Sequence, residues 1–180
     1  MTLTFAAALW GFAEATLFFI VPDVLLTFAA AQDRRRALLA CGGAVAGALV
    51  GGVLMYFWGS IDPPGAVAVL DAVPAIGPAM IEEVRASLER AGATAIFLGP
   101  LTGTPYKIYA VTTGSMGTGL FLFLLVSLPA RSLRFLALTL VTAWVSRRRP
   151  FRRWSVTRKR LLLSALWLAF YVGYFATHPS

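Results

Sequence analysis

The chain reads as an all-α membrane protein, built from two opposed re-entrant helical hairpins, about three transmembrane helices and a short interfacial helix. Three observations predict this. Hydrophobic residues make up 58% and charged residues 13% of the 180 positions, whereas soluble domains run near 45–50% apolar and about 25% charged. The apolar residues fall in long blocks separated by short charged stretches. Three of those blocks, 3–31, 93–116 and 117–145, hold proline together with a charge, which a plain spanning helix does not need. The length suits a single membrane domain covering 1–180.

Residues 3–31 are the first such block, holding Glu14 and the pair Pro22-Asp23 before Arg34, Arg35 and Arg36 close it. A straight helix of that length would run about 43 Å at 1.5 Å per residue, against roughly 30 Å of hydrocarbon. It must therefore tilt across or break, and Pro22 supplies a break. With the break, two short arms enter and leave on one side as a hairpin whose tip is Pro22, tolerated only where protein or a wet cavity covers the open backbone. No Lys or Arg precedes the block and Glu14 interrupts it, so a cleaved leader is not expected.

Residues 37–58 form a cleaner transmembrane helix ending in Tyr56 and Trp58, which suit the headgroup boundary. Gly43, Gly47 and Gly51 recur every four residues on one face and predict close helix packing. Residues 59–92 carry four prolines and five acids against two arginines, and read as an extracytoplasmic loop. Within it, Met80, Ile81, Val84, Leu88 and Ala91 repeat at helical spacing, predicting an amphipathic interfacial helix over 79–91.

Residues 93–116 repeat the first design, with Pro100 and Pro105 as hairpin tips and Lys107 just beyond. Residues 117–145 form a second transmembrane helix with Pro129, Arg131 and Arg134 near its middle. Residues 146–160 form a basic loop holding eight of the sixteen Lys and Arg residues, and 161–175 a last transmembrane helix. Short cytoplasmic segments collect Lys and Arg, so both basic stretches are expected inside and the acidic loop outside. Hairpin plus helix then occurs twice with opposite sense, the inverted-repeat plan of many transporters. The net charge of +8 comes from these loops, and nucleic acid is not expected as a partner.

Catalytic signatures are missing from the sequence. The one histidine, His178, sits near the C-terminal end and Cys41 is the one cysteine, so no Ser-His-Asp set, metal cluster or disulfide is expected. Neither a phosphate-loop motif nor GxGxxG occurs. No catalytic residue, cofactor or metal is expected, and the chain does not read as an enzyme, although carboxylate chemistry on lipid stays open.

The candidate substrate and proton-coupling residues are Glu14, Asp23, Lys107, Arg131 and Arg134, all inside apolar blocks. At about 2.5 to 3.5 kcal/mol each, five unpaired charges at mid-membrane would cost on the order of 12 to 17 kcal/mol. They must pair, face water or hold a ligand. Two acids against three bases leave one positive charge, which suits an anionic group such as phosphate. Blander placements stay open. Arg131 and Arg134 reach the interface if Pro129 ends its helix, Asp23 can act as a helix cap, and Lys107 can snorkel to the surface.

The blocks resemble, in order, those of the DedA superfamily, also called the VTT or SNARE-associated membrane domain family, in its short YqaA-like branch. FAEATLFFIVPDVLL resembles the family's acidic hairpin, placing Glu14, Pro22 and Asp23. AGATAIFLGPLTGTPYKIYAVTTGSMG resembles the second hairpin, placing Lys107 and Gly114, and SLPARSLRFLAL resembles the helix that follows, placing Arg131, Arg134 and Phe135. The second hairpin lacks the Arg-Phe-x-Pro-x-x-Arg motif that many relatives carry. The resemblance covers roughly residues 5–145. It implies opposed re-entrant hairpins and lipid transport, including lipid-linked carriers such as undecaprenyl phosphate, with proton or sodium coupling.

The leading expectation is thus a small multi-pass transporter of the bacterial inner membrane that translocates an anionic lipid or lipid-linked phosphate. Membrane lipids with anionic headgroups are the expected partners, and a homo-oligomer stays open. The alternative is a non-transporting scaffold that binds anionic lipid or a partner protein through its basic loop.

Overall fold

The computed structural model describes residues 2–177, so His178 lies outside the described residues. Among them are nine α-helices, one short 3-10 turn at Phe151–Arg153 and no strand. The helices are α1 (Leu3–Ala15), α2 (Asp23–Ala30), α3 (Arg34–Ile61), α4 (Pro63–Asp71), α5 (Pro78–Ala91), α6 (Ala93–Thr102), α7 (Tyr106–Ser115), α8 (Leu120–Arg147) and α9 (Val156–Thr177). Three of them, α3, α8 and α9, are long and apolar enough to cross a membrane.

Capping explains where α3 begins. The Asp33 carboxylate accepts the N–H groups of Arg35 at 2.9 Å and Arg36 at 3.2 Å, two of the four donors that a helix start leaves free. The helix therefore takes in Arg34–Arg36 and runs 28 residues, about 42 Å, longer at both ends than the expected 37–58. Asp62 then caps α4, accepting from Gly65 N–H at 3.1 Å. Pro63 and Pro64 occupy the first turn of α4, where a missing N–H costs no hydrogen bond. This helix lies inside the segment expected to be a loop, because prolines that look like breakers are N-terminal residues here. The amphipathic α5 buries Ile81, Val84 and Leu88 and packs on α6 and α7.

α8 runs 28 residues through Pro129, so the alternative in which that proline ends the helix does not hold. The basic loop is shorter than 146–160, since α8 continues to Arg147 and α9 begins at Val156, which makes Arg158, Lys159 and Arg160 helical. The Ser155 hydroxyl helps start α9 by accepting from Arg158 N–H at 3.3 Å.

The helices gather around α3. Gly43, Gly47 and Gly51 face Thr4, Ala8 and Phe12 of α1 in the same ascending order, so the two helices run parallel. A Cβ at Gly47 would overlap the Ala8 carbonyl oxygen, so the missing side chain permits the approach. Gly59 in turn abuts the Val111 backbone, and Gly114 that of Tyr56. Together with Tyr106 against Gly52, this sets α7 parallel to the second half of α3. The antiparallel α8 closes the bundle, with Cys41 Sγ 3.1 Å from Thr139 Oγ1 and Ala37 against Ala143.

Of the broken pairs α1–α2 and α6–α7, the helices α1, α2 and α7 lie beside α3, whereas α6 packs on α8 and α5. The turns of both pairs come near the middle of α3, where Ala15 lies against Gly51 and Tyr106 against Gly52. The arms of the first pair pack on α3 and α8 rather than tightly on each other. Charge is sorted by end. Arg34 shares a groove with Arg147 and Arg148, and Arg160 donates to Gln32 at 3.2 Å. The five acids between Asp62 and Glu89 follow the other end of α3.

Candidate functional site

The two helix breaks open backbone that a continuous helix would close, and nearby side chains satisfy it. In the first break, residues 16–22, the Trp10 indole donates to the Ile20 carbonyl at 2.9 Å and Val21 N–H donates to the Tyr171 hydroxyl at 2.9 Å. The Phe18 carbonyl accepts from Lys107 Nζ at 2.7 Å. The second break is the turn at 103–105, where Gly103 takes φ +108, a left-handed conformation suited to glycine. Pro100, expected at the tip, instead lies inside α6. Its carbonyl is one of the unpaired acceptors of the last helical turn and takes a hydrogen bond from Arg134 Nη1 at 2.9 Å.

All five candidate charges converge here. Arg131 is 0% exposed, Asp23 1%, Lys107 2% and Glu14 4%. Arg131 Nη2 donates to Glu14 Oε2. Its guanidinium is held between two aromatic faces, 4.6 Å from the Tyr106 ring centre and 4.8 Å from that of Phe135. Such stacking favours a desolvated cation. Arg134 Nη2 is 2.9 Å from Asp23 Oδ2, and its Nε donates to the same oxygen at 3.1 Å. The α8 arginines therefore clamp the first pair at both sides of its break, and Arg134 also reaches the second pair through Pro100.

Arg131 and Arg134 sit midway along α8 rather than past its end. Asp23 is the first residue of α2 but makes no capping bond from its side chain; its carboxylate serves Arg134. Lys107 does not reach the surface.

With two acid–arginine pairs formed, Lys107 is the remaining cation of the five, and it donates to a neutral carbonyl. It borders a cavity of about 60 Å³, room for about two waters at the roughly 30 Å³ each takes in the liquid. Glu14, Phe18, Pro105, Lys107 and Arg134 line it, with Phe170, Tyr171 and Tyr174 of α9 forming the outer wall. Further donors are unspent, since Arg131 Nε and Nη1 are buried without an acceptor.

The sequence marks Tyr56 only as a headgroup-boundary residue, whereas it is buried in an aromatic column, and it marks neither that column nor the α9 wall. Tyr106 stacks on Phe123 at 5.8 Å and Phe123 on Tyr56 at 5.6 Å, a line that backs the Arg131 guanidinium. Helix α9 buries no residue of its own, yet Trp167 Nε1 donates to Thr27 Oγ1 at 3.0 Å. Nothing local marks these residues, apart from Tyr106 standing between Pro105 and Lys107.

Compared with family models, curated proteins and solved structures, the chain matches none.

Proposed function

We propose that the chain is a small membrane transporter of the DedA type. It moves an anionic lipid, or a lipid-linked phosphate carrier, across a bacterial inner membrane. In this reading the α1–α2 and α6–α7 pairs are re-entrant hairpins entering from opposite faces, with their tips and the charge cluster near the bilayer midplane. The observation that carries it is the uncompensated cation: Lys107 is buried beside a cavity, bonded to a neutral carbonyl, while both arginines already have carboxylates. An arriving phosphate supplies the missing charge and accepts from Lys107 and from Arg134, whose guanidinium also lines the cavity.

The cavity of about 60 Å³ is too small for a lipid headgroup. Transport on this reading therefore alternates between the closed arrangement and ones in which a hairpin or α9 moves aside. Glu14 lines the cavity and binds Arg131, which makes it the residue to couple proton uptake to that movement: a protonated Glu14 releases Arg131 to the substrate.

The test is reconstitution into vesicles with a labelled anionic lipid, comparing wild type with Glu14→Gln, Lys107→Gln and Arg131→Ala. The expected result is at least tenfold slower translocation in each correctly folded variant. Translocation at the wild-type rate by all three would end the proposal.

A further inference from the structure

A second site lies far from the charge cluster, at the basic end of the bundle. The start of α3 and the last two turns of α8 border a groove of about 650 Å³. Arg34, Arg147 and Arg148 stand on its walls, and no acid lines it. Among the described residues the ion pairs are Arg36–Asp33, Arg131–Glu14 and Arg134–Asp23, so these three arginines have no carboxylate partner. The Arg148 guanidinium lies 4.6 Å over the Trp144 ring, which orders it at the groove mouth with its N–H edge free to donate.

The chemistry changes along the groove. Toward the middle of α8 its lining is Leu140, Val141 and Trp144, which are all exposed. Charge therefore gathers at the end of two membrane-length helices, and apolar surface continues from it toward the bundle centre. A soluble anion uses the first feature alone. A phospholipid uses both.

We propose that this groove binds an anionic phospholipid. Arg34, Arg147 and Arg148 hold its phosphate, and Leu140, Val141 and Trp144 pack along the first part of an acyl chain. The site is independent of the transport reading, since it shares no residue with the central cavity. A lipid held there bridges the ends of the antiparallel α3 and α8 and braces the bundle on its basic side.

Native mass spectrometry of the purified full chain, released from mixed micelles with equimolar dioleoyl phosphatidylglycerol and phosphatidylcholine, tests this. Each cation near an anionic headgroup is worth about fivefold in affinity, and three roughly a hundredfold. Wild type should retain phosphatidylglycerol in preference, and Arg34→Gln/Arg147→Gln/Arg148→Gln should lose that preference by roughly a hundredfold. Arg152→Gln/Arg153→Gln/Arg158→Gln, which removes equal charge outside the groove, should keep it. Should the triple variant not fold, Arg148→Gln alone should lose about fivefold. Glycerol phosphate, which has the charge without the chains, should fail to displace the lipid. Retained preference in the groove variants, an equal loss in the control, or displacement by glycerol phosphate would each overturn the proposal.

Discussion

Neutralising one member of the Glu14–Arg131 pair leaves the other charged in a place that water does not reach. Arg131 is fully buried and Glu14 is its one carboxylate, so Glu14→Gln strands a guanidinium whose remaining support is the two flanking rings. Breaking a buried pair from one side typically costs about 3–5 kcal/mol. Arg131→Met strands the carboxylate instead and should cost a similar amount. The double variant removes both charges and leaves mostly a packing defect, so its loss should fall short of the sum of the singles by at least about 3 kcal/mol. Reversible unfolding in mixed micelles, followed by far-ultraviolet circular dichroism, measures all four corners of the cycle. The Asp23–Arg134 pair should couple less strongly, because the Arg134 side chain is 22% exposed and keeps the Pro100 carbonyl. If the Glu14 and Arg131 losses simply add, to within about 0.5 kcal/mol, the two side chains do not depend on each other and the energetic argument for the site fails.

Two other outcomes follow from packing and from the α9 contact. Gly47→Ala should destabilise by about 1–3 kcal/mol, because the added Cβ overlaps the Ala8 carbonyl oxygen and forces α1 off α3. Gly42→Ala, with nothing within 4 Å of its Cβ, should instead be neutral or stabilising by up to about 1 kcal/mol; thermal unfolding in micelles compares the two. Tyr171→Phe removes the acceptor of Val21 N–H, a bond worth about 1 kcal/mol. Hydrogen exchange at the Val21 amide should then quicken about fivefold, and unchanged exchange would show that α9 does not brace the break.

The charge cluster was visible in the sequence for an energetic reason. A charge inside an apolar block is too costly to be incidental, so Glu14, Asp23, Lys107, Arg131 and Arg134 stood out without any knowledge of the fold. The charge balance also identified one unmatched cation, but not which one. That depends on register: Arg131 and Arg134 come to the two carboxylates because α8 runs straight through Pro129, whereas a proline in sequence does not say whether its helix ends. Pro100 shows the same limit, lying inside α6 while the turn falls at 103–105. The glycine spacing in α3 indicated a close neighbour, and the structure identifies it as α1. Helix α4 and the aromatic column behind Arg131 were not legible, since the first hides under prolines and the second joins residues from three separate helices.

On the proposed reading, two segments fold back and bring their charged turns together between the faces of the membrane. Labelling single cysteines with an impermeant thiol reagent in sealed vesicles tests this most directly, using Thr2→Cys, Gln32→Cys, Ser60→Cys and Met116→Cys in a Cys41→Ala background. Positions 2 and 32 should react from one side, and positions 60 and 116 from the other. Opposite-side reaction of 2 and 32 would mean that the first segment crosses the membrane, and it would contradict the account.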